Sequence, residues 1–158
     1  MSPLRIIAVF HPRERLQKCT LHPLLPRPDV VACTFPDMED LDLRGAVTLA
    51  PDGPPLGRGE GAEALVLVDG TWRYARRIAR SLGLPRRSLP GFVTAYPRTS
   101  KLFRDPAGGL ASAEALYAAK LVLGEEDPSL LDGYRWAEEF LALNRRRIEE
   151  LRAAAENS

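Results

Sequence analysis

Cysteine, histidine and net charge are all scarce in this chain. Two cysteines, Cys19 and Cys33, in 158 residues do not make a disulfide framework, and they point to a reducing, cytoplasmic setting. The two histidines, His11 and His22, both lie near the N-terminus, so no Ser/His/Asp order suggests a hydrolytic triad. His11, Cys19, His22 and Cys33 match no zinc spacing, and no metal is expected. Lys and Arg number 22 against 21 Asp and Glu, a net charge of +1. Overall charge therefore neither demands nor excludes a nucleic-acid partner, and its distribution must decide. No apolar run approaches the ~20 residues of a membrane span. The opening MSPLRIIAVFHPRER has no basic segment leading into a long apolar stretch, so neither a signal peptide nor a membrane partner is expected. GxGxxG and the P-loop are missing, and GRGEG at 57–61 follows no strand. Rossmann dinucleotide and nucleoside-triphosphate sites thus lack their fingerprints. There are no repeats or low-complexity tracts.

What is present is ordinary globular material, 45% hydrophobic and 27% charged, enough for one domain over 1–158 with its own core. Fourteen prolines and twelve glycines fall mostly between periodic segments and imply short elements joined by specified loops. Strands are predicted at 4–10 (LRIIAVF), 30–35 (VVACTF), 46–49 (AVTL), 64–68 (ALVLV) and 92–95. From Thr71 the period changes: Trp72, Ala75, Ile78, Ala79 and Leu82 share one side of a helix that Gly83 and Pro85 stop. A second helix is predicted at 112–123, with Ser112 as a plausible cap. A third runs from about Leu130 into the 150s, with Ala137, Phe140, Leu141, Asn144, Ile148 and Leu151 on one face. Strands alternating with helices predict an α/β domain with a mainly parallel sheet. Asn144, polar at the centre of an apolar stripe, is expected to be buried and bonded to loop backbone.

Three places carry candidate chemistry. Asp69-Gly70-Thr71-Trp72 ends the clearest strand, where open α/β sheets bind ligands, and a helix start there favours an anion. A strand, turn, cap and core tryptophan would read the same way. Arg73, Arg76, Arg77 and Arg80 stand at i, i+3, i+4 and i+7 opposite the apolar stripe, with no acidic residue among them. Such a row suits a phosphate backbone, or it is a solvated face paired elsewhere. The polar segment 96–114 ends at a helix start and contains Lys101, Arg104, Ser112 and Glu114. Loops of this kind carry binding, although Glu114 alone reads as complementing a helix dipole.

Together these segments resemble the Tsr3 family of ribosomal RNA aminocarboxypropyltransferases and its relatives, the DTW-domain transferases acting on tRNA. The likeness rests on His11-Pro12 and Lys18-Cys19-Thr20, LVLVDGTWRYA at 65–75, Leu89-Pro90, LASAEALYAA at 110–119 and YRWAEEFLALN at 134–144. At 96–101 (YPRTSK) the chain departs from the Tsr3 pattern, and Ser100 and Arg104 are more similar to the DTW branch.

The resemblance implies a SPOUT-like α/β fold with helices on both faces of a mainly parallel sheet and a C-terminal trefoil knot. An N-terminal subregion of about 1–50 would precede a knotted cofactor-binding region of about 64–155. S-adenosylmethionine would be the cofactor, donating its 3-amino-3-carboxypropyl group to a uridine-type base in rRNA or tRNA. The alternatives are a SPOUT-type RNA methyltransferase and a non-catalytic ribosome- or RNA-binding module. Asp69 and Trp72 are the implied catalytic residues, Asp69 as base or as cofactor holder. Thr20, Val68, Asp69, Trp72, Leu89, Ala111 and Ser112 would bind the cofactor. Arg73, Arg76, Arg77, Arg80, Lys101 and Arg104 would bind RNA. A cytoplasmic monomer is the expected form.

Overall fold

In the computed structural model, residues 4–12, 20–69, 72–97 and 109–157 are described, with the backbone alone at Trp72. The chain forms β1 (Arg5–Phe10), β2 (Val30–Thr34), β3 (Ala46–Leu49), β4 (Ala64–Asp69), α1 (Trp72–Leu82), β5 (Arg86–Arg87), α2 (Ser112–Val122), α3 (Ala137–Leu143) and α4 (Arg145–Glu156). The five strands lie in the order β2-β1-β4-β3-β5, and every pair is parallel. Apolar runs become strands here because a parallel sheet covered on both sides buries every side chain of its central members. Ile6, Ala8, Phe10, Leu65 and Leu67 face one cluster with α2, Phe140 and Ile148. Ile7, Val9, Ala64 and Val66 face the other, with Ile78 of α1. Helices therefore cover both faces, as expected.

Three expectations need correction. Residues 92–95 are not a strand; their backbone is claimed by distant side chains, described below. The fifth strand is instead Arg86–Arg87, a polar pair that no apolar pattern announces. It exists because Thr48 N–H donates to Pro85 O at 2.8 Å and Ala50 N–H to Arg87 O at 2.9 Å. The loop from 50 to 57 then runs against it so closely that a Cβ at Gly53 would sit 2.5 Å from the Arg86 carbonyl. Finally, the last helix is not continuous. A 3-10 turn, Pro128–Leu131, comes first, Gly133 turns the chain at φ 80°, and Asn144 (φ −108°) separates α3 from α4. Phe140, Asn144 and Ile148 are buried, while Leu141 is 36% exposed and leaves the expected face.

The amino edge of the sheet is held by charge. Lys120, 7% exposed, lies 3.5 Å from Asp127 and 3.9 Å from Asp29. Arg27 clasps Asp29 at 2.9 Å and Asp127 at 2.8 Å, which ties the start of β2 to the end of α2. Burial pushes Asp127 up, but hydrogen bonds from Ser129 and Arg27 and the charges of Arg27 and Lys120 outweigh it, holding its pKa at about 2. Asp29 is lowered by its hydrogen bond from Arg27 against burial. A depressed carboxylate stabilises fully above its unfolded pKa and loses that contribution as pH falls through its folded one. Stability is expected to fall by about 2 kcal/mol between roughly pH 4 and pH 2 on account of Asp127. Denaturant melts across that range should show a shallower loss in Asp127→Asn; equal slopes would count against the assignment.

Candidate functional site

The site builds from the carboxyl edge of the sheet. Asp69 is the last residue of the central strand, and its carbonyl accepts His11 N–H at 3.2 Å, which locks the ends of β1 and β4 together. Alternation along β4 puts Asp69 on the same face as Leu65 and Leu67, the α2 face. Val68 is half-buried and packs toward α1. Trp72 opens α1; its side chain, with Gly70, Thr71, Lys101 and Arg104, lies outside the described residues.

On the α2 face the structure brings several expected residues together. Leu89 and Leu110 are each 8% exposed and belong to one apolar cluster, against which Ala111 packs. Ser112 is not the cap of α2 but its first helical residue; the capping position is Ala111, at φ −65° and ψ 155°. Alanine has no side-chain acceptor, and the capping work is done from elsewhere. Thr20 Oγ1 accepts Ala113 N–H at 3.1 Å, and Glu114 Oε1 accepts Ala111 N–H at 2.8 Å. Thr20 thus stands at the first turn of α2, although 93 residues earlier in sequence.

Glu114 is the residue whose role the sequence pattern understated. It is fully buried. Besides Ala111 N–H it accepts Thr94 Oγ1–H at 2.6 Å, Ala95 N–H at 2.9 Å and the Tyr134 hydroxyl at 2.9 Å. Four donors from three segments share one carboxylate, so it fixes the 92–97 loop to the start of α2. Asn144, 2% exposed, fixes the same loop one residue earlier. Its Oδ1 accepts Val93 N–H at 2.7 Å, and its Nδ2 donates to Val93 O and Phe140 O, both at 2.8 Å. The expectation of a buried, backbone-bonded asparagine is met. Tyr96 and Tyr134 close the loop with edge contacts to Trp136, at 5.1 and 5.9 Å between ring centroids.

All four arginines of α1 are exposed on one side of the helix. The row is not wholly unneutralised, since Asp52 approaches Arg76 at 4.0 Å while pairing with Arg86 at 2.7 Å. Asp52 comes from the loop after β3, a neighbour that the helix pattern cannot announce. Among the described residues, Arg76 alone of the four has a carboxylate within that distance. Among the described residues, no group of three His, Cys, Asp or Glu side chains gathers to hold a metal, and no helix is long and apolar enough to cross a membrane.

Residues 58–158 match the family model for ribosome biogenesis protein, C-terminal. A 16S rRNA aminocarboxypropyltransferase of Methanosarcina mazei is 32% identical over 101 residues, 61% of this chain and 56% of that protein. One from Methanosarcina acetivorans is 32% identical over 61% of this chain and 55% of its own length. The match thus spans a little over half the length of these relatives. The solved SAM-dependent rRNA:acp-transferase Tsr3 from Vulcanisaeta distributa superposes with a TM-score of 0.73 at 22% identity, covering 96% of this chain and 85% of that one.

Proposed function

The chain belongs to the ribosome biogenesis protein C-terminal family, and from that footing we propose that it transfers the 3-amino-3-carboxypropyl group of S-adenosylmethionine to a uridine-type base in ribosomal RNA. The observation that carries the proposal is the convergence of Thr20, the first turn of α2 and the Glu114-held loop on the face of the sheet where β4 ends in Asp69. The relatives named as rRNA aminocarboxypropyltransferases support it.

The residues present fit such a cofactor. Thr20 Oγ1 accepts from Ala113 N–H and keeps its own proton to donate to a carboxylate. The N-terminus of an 11-residue helix favours an anion at the same place. Backbone groups around Val68, Leu89, Ala111 and Ser112 would hold ribose, adenine and amino acid. When bound, S-adenosylmethionine supplies a sulfonium that activates all three attached carbons. The protein's task is then selection: a wall that covers the methyl carbon and leaves the aminocarboxypropyl carbon open chooses the group by orientation. Trp72 would form that wall. Asp69 would hold the cationic amine or sulfonium, or take the proton of the acceptor ring nitrogen.

Arg73, Arg77 and Arg80, and less so Arg76, would meet RNA phosphates, as would Lys101 and Arg104. With this function goes a SPOUT-like trefoil knot within about 64–155 of a single domain. A monomer acting on RNA without a metal completes the proposal.

Incubation with S-adenosylmethionine and unmodified small-subunit rRNA, followed by nucleoside mass spectrometry, tests the function. A four-carbon amino-acid adduct is expected; a methyl adduct or none would replace the proposal with methyl transfer or with binding alone. Trp72→Ala is expected to weaken S-adenosylmethionine about 2- to 30-fold by calorimetry, the range of about 0.5–2 kcal/mol for a cation against an aromatic face. Unchanged affinity in the folded variant would remove Trp72 from the site. Arg73→Gln combined with Arg80→Gln should lower the log–log salt slope of RNA binding by roughly 1.4–1.8 and leave cofactor affinity unmoved. An unchanged slope would make the row a solvated face.

A further inference from the structure

A concavity lies at the carboxyl edge of the sheet, on the α1 face. It has a volume of about 370 Å³, and its walls include His11, Phe35, Pro36, Tyr74, Arg77 and Ile78. His11 follows Ile7 and Val9 in the alternation of β1, and Phe35 and Ile78 belong to the cluster on the α1 face. Thr20, Asp69, Leu89, Ala111 and Ser112 of the proposed cofactor site lie toward the α2 face, while Val68 packs on the α1 side and Trp72 opens α1; among the described residues none of them lines this cleft, which is distinct from the donor site.

We propose that the cleft receives an unpaired base of the RNA substrate, adjacent to the base that is modified; this rests on the RNA-directed function above. Three observations point to that occupant. The His11 and Tyr74 rings lie 4.5 Å apart between centroids at 38°, and Tyr74 remains 41% exposed beside them. Exposed aromatic faces in an otherwise apolar hollow are what a nucleobase stacks on. Arg77 belongs both to the cleft wall and to the arginine row. A base in the cleft therefore carries its phosphate toward Arg73, Arg77 and Arg80, the row members on α1 with no carboxylate within 4.0 Å among the described residues. Lastly, the His11 N–H to Asp69 O bond joins the cleft to the end of β4. A strand of RNA crossing that edge places one base in the cleft and the next beside Asp69. The donor site and the cleft thus divide the work at one edge of the sheet: the first holds the donor and the second grips the chain that presents the acceptor.

The test uses the full protein and a short, end-labelled, single-stranded, uridine-rich RNA, with anisotropy read at several salt concentrations. Tyr74→Ala is expected to weaken binding between about fivefold and a hundredfold, the loss of one stacked base, with the salt slope unchanged because no phosphate contact is lost. Tyr74→Phe should stay within about twofold of the parent. Arg77→Gln should lower the slope by about 0.7. Calorimetry with S-adenosylmethionine should give the same affinity for all of them. If the parent protein shows no salt-dependent RNA binding, the RNA-directed function itself fails. If the parent binds and Tyr74→Ala binds equally well, the cleft proposal alone fails. A Tyr74→Ala variant whose sedimentation changes while its RNA affinity does not would make the cleft an interface between copies and overturn the proposal. Should that variant not fold, photocrosslinking of the parent protein to a 5-iodouridine RNA decides. Adducts at Tyr74 or His11 uphold the cleft, and adducts confined to other residues overturn it.

Discussion

Replacing Glu114 by glutamine is expected to cost about 1–3 kcal/mol, a sizeable share of the stability of a domain this size. The carboxylate is fully buried and serves four donors: Thr94 Oγ1–H, Ala95 N–H, Ala111 N–H and the Tyr134 hydroxyl. An amide has one acceptor oxygen and turns an NH2 group toward the rest. In either orientation that NH2 group meets one hydroxyl, which can turn and accept from it, and one backbone N–H, which cannot; the unpaired buried donor costs about 1–3 kcal/mol. At roughly 2–4 °C per kcal/mol for 150 residues or more, the melting temperature should drop by about 2–12 °C. Tyr134→Phe removes one donor and leaves three, so it should cost only about 1 kcal/mol. Denaturant titrations of the two variants check both numbers. A glutamine variant as stable as the parent, to within about 0.5 kcal/mol, would mean that the network does not bear on stability. The same substitution should weaken S-adenosylmethionine, because it frees Ala111 and the 92–97 loop together. Glu114 is on this argument a positioning residue, and its effect on affinity should shrink at low temperature in a variant that remains folded.

How much of this was legible in the sequence varies with the kind of force involved. The central strands were readable to within a residue, 4–10 against Arg5–Phe10 and 64–68 against Ala64–Asp69, because burial on both faces leaves an unbroken apolar run. Helix α1 was readable because its stripe of Ala75, Ile78 and Ala79 is one-sided and ends at Gly83. Strand β5 was not, since Arg86 and Arg87 carry no apolar signal and pair only through the backbone of β3. Residues 92–95 misled for the opposite reason. Phe-Val-Thr-Ala has strand character, but Glu114 and Asn144 take the backbone groups that a ladder would use. Glu114 itself has a sufficient local explanation in the first turn of a helix, which hid its burial. The Asp52 contact to Arg76 joins residues 24 apart across a loop, beyond any helical spacing rule. At the site, position was legible at the strand end and at α2, while the donor sharing that holds the loops was not.

Asn144→Leu should cost stability more than it costs function. The side chain sits between α3 and α4, 2% exposed, and spans Val93 N–H, Val93 O and Phe140 O with three hydrogen bonds of 2.7–2.8 Å. Leucine has a similar shape and no polar atoms, so it fills the space and strands the Val93 groups. Val93 itself is 57% exposed, and water can reach part of what is left. The expected loss is therefore about 2–4 kcal/mol, from one buried donor and acceptors that are only partly resolvated. Asn144→Asp is the sharper probe. Its carboxylate can still accept Val93 N–H, but its second oxygen then confronts two carbonyl oxygens where the amide donated. That variant should be at least as unstable as the leucine one at neutral pH, and it should recover as pH falls, because a protonated carboxyl can donate to one of those carbonyls. Melts of both variants at neutral and mildly acidic pH read the difference. Loss of transfer activity with an unchanged melting temperature would place Asn144 in contact with substrate. A leucine variant that is less stable, yet turns over normally once held well below its melting temperature, would keep it in the scaffold that shapes the 92–97 loop.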